Sequence, residues 1–277
     1  MPKKPNNKPS KPYYSVSLER GLSILRCFTP DRPVWSLKHI SETIGLNKTS
    51  TYRFANTLVQ LGYLKKDPQT KLMQLGPQIA TFGLGYFYSN TLREIARPLI
   101  DEISNTYNIT TELAFYEEDT IAVVYRREAV EAFVPRFPIS RRKQQLYLSA
   151  IGKAILSHLP PKEFLEFIDG IKLLPKTENT ITNKKDLIAE LEVTKKRGYA
   201  LNNEEWVQGL IAIASPIMDL HTTKVIGAVC FDFSTIHHSI EIIEREFADV
   251  LMKTARDISQ IVEARSRMGA MNLENVK

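Results

Sequence analysis

Apolar positions recur at helical spacing through the first sixty residues, in three short runs divided by turn residues. Leu18, Leu22 and Leu25 stand at i, i+4 and i+7, which predicts a first helix with Ser17 placed to cap it and Pro30 and Pro33 closing the segment. After Ser36, a second run sets Leu37, Ile40 and Ile44 on one face, and Gly45 follows as a residue able to take the positive φ of a tight turn. A third run begins at once: Asn47 caps it, Thr51, Phe54, Ala55 and Leu58 share one stripe, and Leu61 carries that stripe to Gly62. Strand-like segments at 63–66 and 71–75 then flank the turn Asp67-Pro68-Gln69-Thr70, the pattern of a β-wing.

The second and third helices, joined through Gly45 and Leu46, form a helix-turn-helix, which projects its second helix into a DNA major groove. With Thr51, Phe54 and Leu58 turned to the core, Lys48, Thr49, Ser50, Tyr52, Arg53 and Asn56 point outward. Arg reads guanine and Asn reads adenine bidentately, while Ser, Thr and Tyr position phosphates or touch thymine methyls. Lys66 and Lys71 in the wing, with Lys3, Lys4 and Lys8 ahead of the domain, supply phosphate contacts that ignore sequence. Charge sharpens this picture. Of the +6 net charge, residues 1–75 hold 13 Lys/Arg against 4 Asp/Glu, whereas the remainder holds 24 against 27. A positive excess confined to one end suits a polyanionic partner, double-stranded promoter DNA.

Beyond the wing, 79–88 is apolar nearly all round, including Phe82, Leu84, Tyr86 and Phe87, so it is expected to bury itself against a second copy of the chain. A further helix carries Leu92, Ile95, Ala96, Leu99, Ile100 and Ile103, with Pro98 bending it or lying in its first turn. Strand patterns follow at 111–116, 120–126 and 132–137, then helices from about Ser149, Pro161 and Asp186. Strands at 210–218 and 224–233, divided by a hairpin turn, and a long helix from about Ser239 complete the series. The expected class is α+β: an N-terminal winged helix-turn-helix and a C-terminal domain with an antiparallel sheet. The expected boundaries are a flexible basic arm at 1–14, the winged domain at 15–75, a linker helix at 76–90, the C-terminal domain at 91–268 and a tail at 269–277.

Cys27 and Cys230 stand alone in their respective halves, so neither a disulfide framework nor a thiolate metal site is expected, and a reducing cytoplasm fits. No run approaches the ~20 apolar residues that span a bilayer, so a membrane partner is not expected. There is no G-x-S-x-G elbow, H-E-x-x-H or Walker loop, hence no expected catalytic residue, metal or cofactor. The rival reading is an enzyme acting on a small organic acid with a fused DNA-binding module.

Three stretches resemble the IclR family of regulators: IGLNKTSTYRFANTL at 44–58 with LGYL at 61–64 and LGP at 75–77; LSAIGKAIL at 148–156; and RGYALNNEEWVQGLIAIASP at 197–216, continuing to IGA at 226–228. The resemblance covers nearly everything from Ser17 to Arg267. It implies a homodimer, often pairing into tetramers on DNA, and makes 91–268 a GAF-like effector-binding domain, whose ligand in the family is usually a small organic or aromatic acid. It also implies an effector pocket lined by Ala150 and Ile151, by Asn202, Leu210 and Ala212, and by Cys230 and Asp232. Ser149 is placed to cap the helix of Gly152 and Lys153, whose first N–H groups suit a carboxylate. Lys153 reads as a solvated helix lysine or a partner of Glu204 or Glu205 ahead of a ligand contact. Cys230 and Asp232 stand where small hydroxyl residues are familiar in carboxylate-binding relatives, and an ionised Asp232 repels an anion unless a base pairs with it. Arg126, Arg127, Arg136, Arg141 and Arg142 read as solvated loop residues ahead of the alternative, that they face an acidic ligand or a partner subunit.

Overall fold

The computed structural model describes residues 13–29, 32–89, 91–117, 120–130 and 140–274. By its internal contacts the chain divides into two compact units, Met1–Tyr86 and Phe87–Lys277. Residues 1–12 of the expected arm, the strand expected at 132–137 and residues 275–277 lie outside the described residues.

The first unit holds α1 (Val16–Leu25), β1 (Val34–Trp35), α2 (Leu37–Ile44), α3 (Lys48–Gln60), β2 (Leu64–Lys66) and β3 (Met73–Leu75). Its helix starts are set locally: the Ser36 hydroxyl accepts the His39 N–H at 3.3 Å and the Asn47 side-chain oxygen Oδ1 accepts that of Ser50 at 2.8 Å. Gly45 takes φ +68° and donates its N–H to the Ser41 carbonyl, closing α2 so that α3 starts three residues later. The wing strands pair antiparallel, and β1, too short to show any alternation in sequence, adds a third strand in the order β1-β3-β2. Ile24, Trp35, Ile40, Ala55, Leu64 and Met73 form the centre of this unit's core.

Two expectations for α1 are corrected. The helix starts at Val16 and is capped by Ser15, which accepts the Leu18 N–H at 3.3 Å, so Ser17 falls inside it. The stripe of Leu18 and Leu22 stands 62% and 46% exposed, while Ile24 at the helix's C-terminal end, with Cys27 and Phe28 beyond it, enters the core.

The linker helix α4 (Gln78–Ser89) contains the division between the units. The second unit follows with α5 (Thr91–Tyr107), β4 (Thr110–Glu117), β5 (Thr120–Arg127), β6 (Ser140–Arg142), a 3-10 segment (Lys143–Leu148), α6 (Ala150–Leu156), α7 (Pro161–Gly170), α8 (Lys184–Arg197), β7 (Ala200–Asn203), β8 (Leu210–Asp219), β9 (Lys224–Ser234) and α9 (Ile240–Glu274). Pro98 sits inside α5, and α9 continues past the boundary expected at 268. The sheet is antiparallel in the order β6-β5-β4-β9-β8-β7.

Alternation along these strands makes two unlike faces. One carries large side chains, Leu113, Ile213, Val229, Phe231 and Phe233, filled in by α5 and α9. Each such fully buried side chain stabilises the fold by roughly 1.5–3 kcal/mol. The opposite face is lined by Ala114, Ala200, Ala212, Ala214, Ala228 and Cys230, and receives α6 and the 3-10 segment. Small residues let α6 approach closely. Gly152 is part of that approach, since a Cβ on it would lie 1.9 Å from the Leu146 carbonyl oxygen. The small face is where the fold leaves a cavity.

Candidate nucleic-acid interface and effector cavity

On α3 the two faces separate as expected. Thr51 and Ala55 are fully buried, Thr51 returning its hydroxyl to the Asn47 carbonyl at 3.0 Å, while Lys48, Thr49, Tyr52, Arg53 and Asn56 are exposed and Ser50 is half-buried. The wing closes on Asp67, whose carboxylate accepts the N–H groups of Thr70 (2.6 Å) and Gln69 (3.0 Å); the Thr70 contacts hold its pKa below the ordinary value. Lys66 brings its ammonium to 5.7 Å from the centre of the Tyr52 ring, so a wing cation stands beside α3. Lys71 turns back to the Pro68 carbonyl at 2.5 Å. What this arrangement presents to solvent is a helix face of cations and hydroxyl and amide groups, able to donate to phosphates and base edges.

In the second unit, Ala150, Ile151, Asn202, Leu210, Ala212, Cys230 and Asp232 all line one narrow cavity of about 10 Å³, room for about one water molecule. The strand register brings the sheet residues together: Asp232 is opposite Ala212, which is opposite Asn202. Three further residues line the cavity: Ser149, Glu112 and Trp206. Glu112 was legible in principle, because it lies on β4 opposite Cys230 and two residues from Ala114, hence on the small-residue face. Trp206 belongs to a loop, where no periodicity points.

The polar groups around this cavity are committed. Ser149 accepts the Gly152 N–H at 3.1 Å, so that N–H of the first turn, expected to suit a carboxylate, is already satisfied. Asn202 donates to the Leu148 carbonyl (2.5 Å) and accepts the Glu205 N–H (3.2 Å). The Cys230 thiol donates to Asp232 at 3.3 Å. Arg126 supplies the base that Asp232 calls for: its guanidinium pairs with Glu112 and lies 3.7 Å from the Asp232 carboxylate. Arg126 is therefore a largely buried strand residue, against its reading as solvated loop, whereas Arg127 is exposed and donates to Asn105 at 3.2 Å. Arg136 and the side chains of Arg141 and Arg142 lie outside the described residues.

Of its three expected readings, Lys153 takes that of a carboxylate partner, and its reading as a solvated helix lysine is corrected. It is 1% exposed and its ammonium sits 2.5 Å from Glu205, with Glu190 at 3.8 Å. Burial pushes the Glu205 carboxyl up, against the pull of Lys153. Glu204 instead accepts the Gly209 N–H at 2.7 Å. Among the described residues, no group of three or more His, Cys, Asp or Glu is arranged to hold a metal, and no helix is long and apolar enough to cross a membrane.

Comparison with known proteins bears on both sites. Residues 17–68 match the model of the IclR helix-turn-helix domain, and residues 85–260 match that of the bacterial transcriptional regulator IclR C-terminal domain. The HTH-type transcriptional regulator BhcR of Paracoccus denitrificans is 28% identical over 243 residues, 88% of this chain and 86% of that protein. Among solved structures, the IclR of Thermotoga maritima is similar at a TM-score of 0.64 and 28% identity, covering 89% of this chain and 98% of that one. An IclR homolog from Microbacterium hydrocarbonoxydans, solved in complex with 4-hydroxybenzoate, shares the fold at a TM-score of 0.71 and 20% identity, over 90% of this chain and 99% of that one.

Proposed function

This chain belongs to the IclR family of bacterial transcriptional regulators, and from that premise we propose that α3 and the wing hold promoter DNA while a small organic or aromatic acid in the cavity modulates the grip. The observation that carries the DNA half is the exposed polar face of α3 set against its fully buried Thr51 and Ala55. Arg53 and Asn56 read bases, Lys48, Thr49, Ser50 and Tyr52 position the backbone, and Lys66 and Lys71 add contacts blind to sequence.

The effector half is supported by the cavity and by the 4-hydroxybenzoate complex of the Microbacterium homolog. Glu112 and Asp232 share one guanidinium, so an acid ligand turns its anionic group away from them and its neutral body toward them. The chain is a regulator and not an enzyme in this reading, working as a homodimer that pairs into tetramers on DNA. Phe82, 65% exposed on α4, supports the linker as a self-association surface, and effector binding changes the relative orientation of two DNA heads through it. A thermal-shift screen against organic and aromatic acids tests the effector half, since a ligand at 100 times its dissociation constant adds ~2.7 kcal/mol. Stabilisation by an acid recovered unchanged, which then alters promoter affinity, is expected. Turnover of the acid contradicts the sensor reading in favour of the enzyme.

A further inference from the structure

The loop at 204–209 joins β7 to β8, and its second residue gathers most of the fastenings that tie it to the rest of the unit. The Glu205 N–H donates to Asn202, its carbonyl accepts the Thr180 hydroxyl at 2.7 Å, and its carboxylate meets Lys153 at 2.5 Å. Trp206, next in the chain, lines the cavity. Lys153 reaches this point from α6, the helix whose first two residues form part of the cavity wall. The buried ion pair therefore ties one wall of the cavity to the loop that closes another.

A second feature gives the pair more than a packing role. Lys153 is more deeply buried than any other charged side chain among the described residues, so an opening that strands it would be strongly unfavourable. It has an alternative: Glu190 on α8 lies 3.8 Å away and is anchored to Arg197 at 3.0 Å. A flexible four-carbon stem lets the ammonium move between these carboxylates. Glu205 is itself incompletely served, since its Oε2 is buried without a hydrogen-bond partner.

We propose that the Lys153–Glu205 ion pair is a latch that positions Trp206 against the cavity, and that Glu190 receives Lys153 when the loop lifts. Glu205 and Lys153 are positioning residues that act through Trp206. The consequence for ligand entry rests on the reading of the cavity as the effector site; the latch itself is tested without a ligand.

Trp35 and Trp206 are the two tryptophans of the chain, so a Trp35→Phe background leaves Trp206 as the sole reporter. In that background Glu205→Gln keeps the side-chain shape and removes the charge. It is expected to raise the acrylamide quenching constant of Trp206 roughly twofold or more, because local opening becomes easier, with far-UV circular dichroism unchanged. Glu190→Gln, which removes only the alternative partner, is expected to leave quenching of the closed loop as it was. Unaltered quenching in a folded Glu205→Gln variant, or an equal rise in Glu190→Gln, overturns the latch. Should Glu205→Gln fail to fold, amide exchange in the unsubstituted chain decides: protection at Glu205 and Gly209 that opens well below global unfolding is expected. Exchange there without protection, or only by global unfolding, overturns the proposal. A negative quenching result leaves the effector reading standing, and a failed acid screen leaves the latch standing.

Discussion

The polar face of α3 and the polar lining of the cavity are built on opposite terms. On α3, Lys48, Arg53 and Asn56 lie in water and stay available to a partner, since solvent satisfies them until DNA arrives. Around the cavity, burial forbids such waiting: Ser149 is bonded to Gly152, Asn202 to Leu148 and Glu205, and Glu112 to Arg126. An exposed recognition surface can be assembled residue by residue with little effect on the fold. A buried one is part of the fold, so that binding and stability respond to the same substitutions.

The contrast is sharpest where the cavity wall leaves no room. Gly152→Ala places a Cβ 1.9 Å from the Leu146 carbonyl oxygen, so the backbone must shift and the chain should lose upwards of about 3 kcal/mol or fail to fold, read by urea unfolding. Lys153→Met comes next: it leaves Glu205 buried without its cation and should cost roughly 3 kcal/mol in the same assay. A loss under about 1 kcal/mol from either would place the cavity wall on the same footing as the α3 surface.

How far this division was readable from the chain depended on whether its causes are local. Ser36, Gly45 and Asn47 announce the helix-turn-helix because a cap and a left-handed turn act on their own neighbours. The strands at β4, β5, β8 and β9 showed through their runs of apolar and β-branched residues. The seven residues around the cavity came from family likeness, and Trp206 and the depth of Lys153 depend on pairings across more than fifty positions, such as that of Lys153 with Glu205. β7 was missed because Asn202 and Asn203 look like loop, whereas Asn202 is a buried strand residue with both amide atoms bonded. Leu18 and Leu22 mislead in the other direction: helical spacing identifies an apolar stripe but not whether the unit itself covers it.

Smaller effects refine the comparison. His158 is held below the ordinary histidine value of 6.5, chiefly by burial, so the fold disfavours its charged form. Its contribution is complete above 6.5 and is lost as pH falls from there through the lower folded value, because the unfolded chain takes up the proton first. His158→Gln should therefore flatten the decline in thermal midpoint below pH 6.5 and leave higher pH alike. The smallest expected change in stability is from Arg53→Ala, within about 0.5 kcal/mol, since the side chain is exposed.

That same substitution provides the most direct test. Fluorescence anisotropy titrations of a promoter fragment and of a scrambled duplex, at several salt concentrations, compare Arg53→Ala with Lys66→Ala. Arg53→Ala should remove about 1–3 kcal/mol of discrimination between the two duplexes, whereas Lys66→Ala should weaken both alike and reduce the salt slope by about one. Equal, sequence-blind losses from the two variants would contradict the assignment of α3 as the element that reads bases.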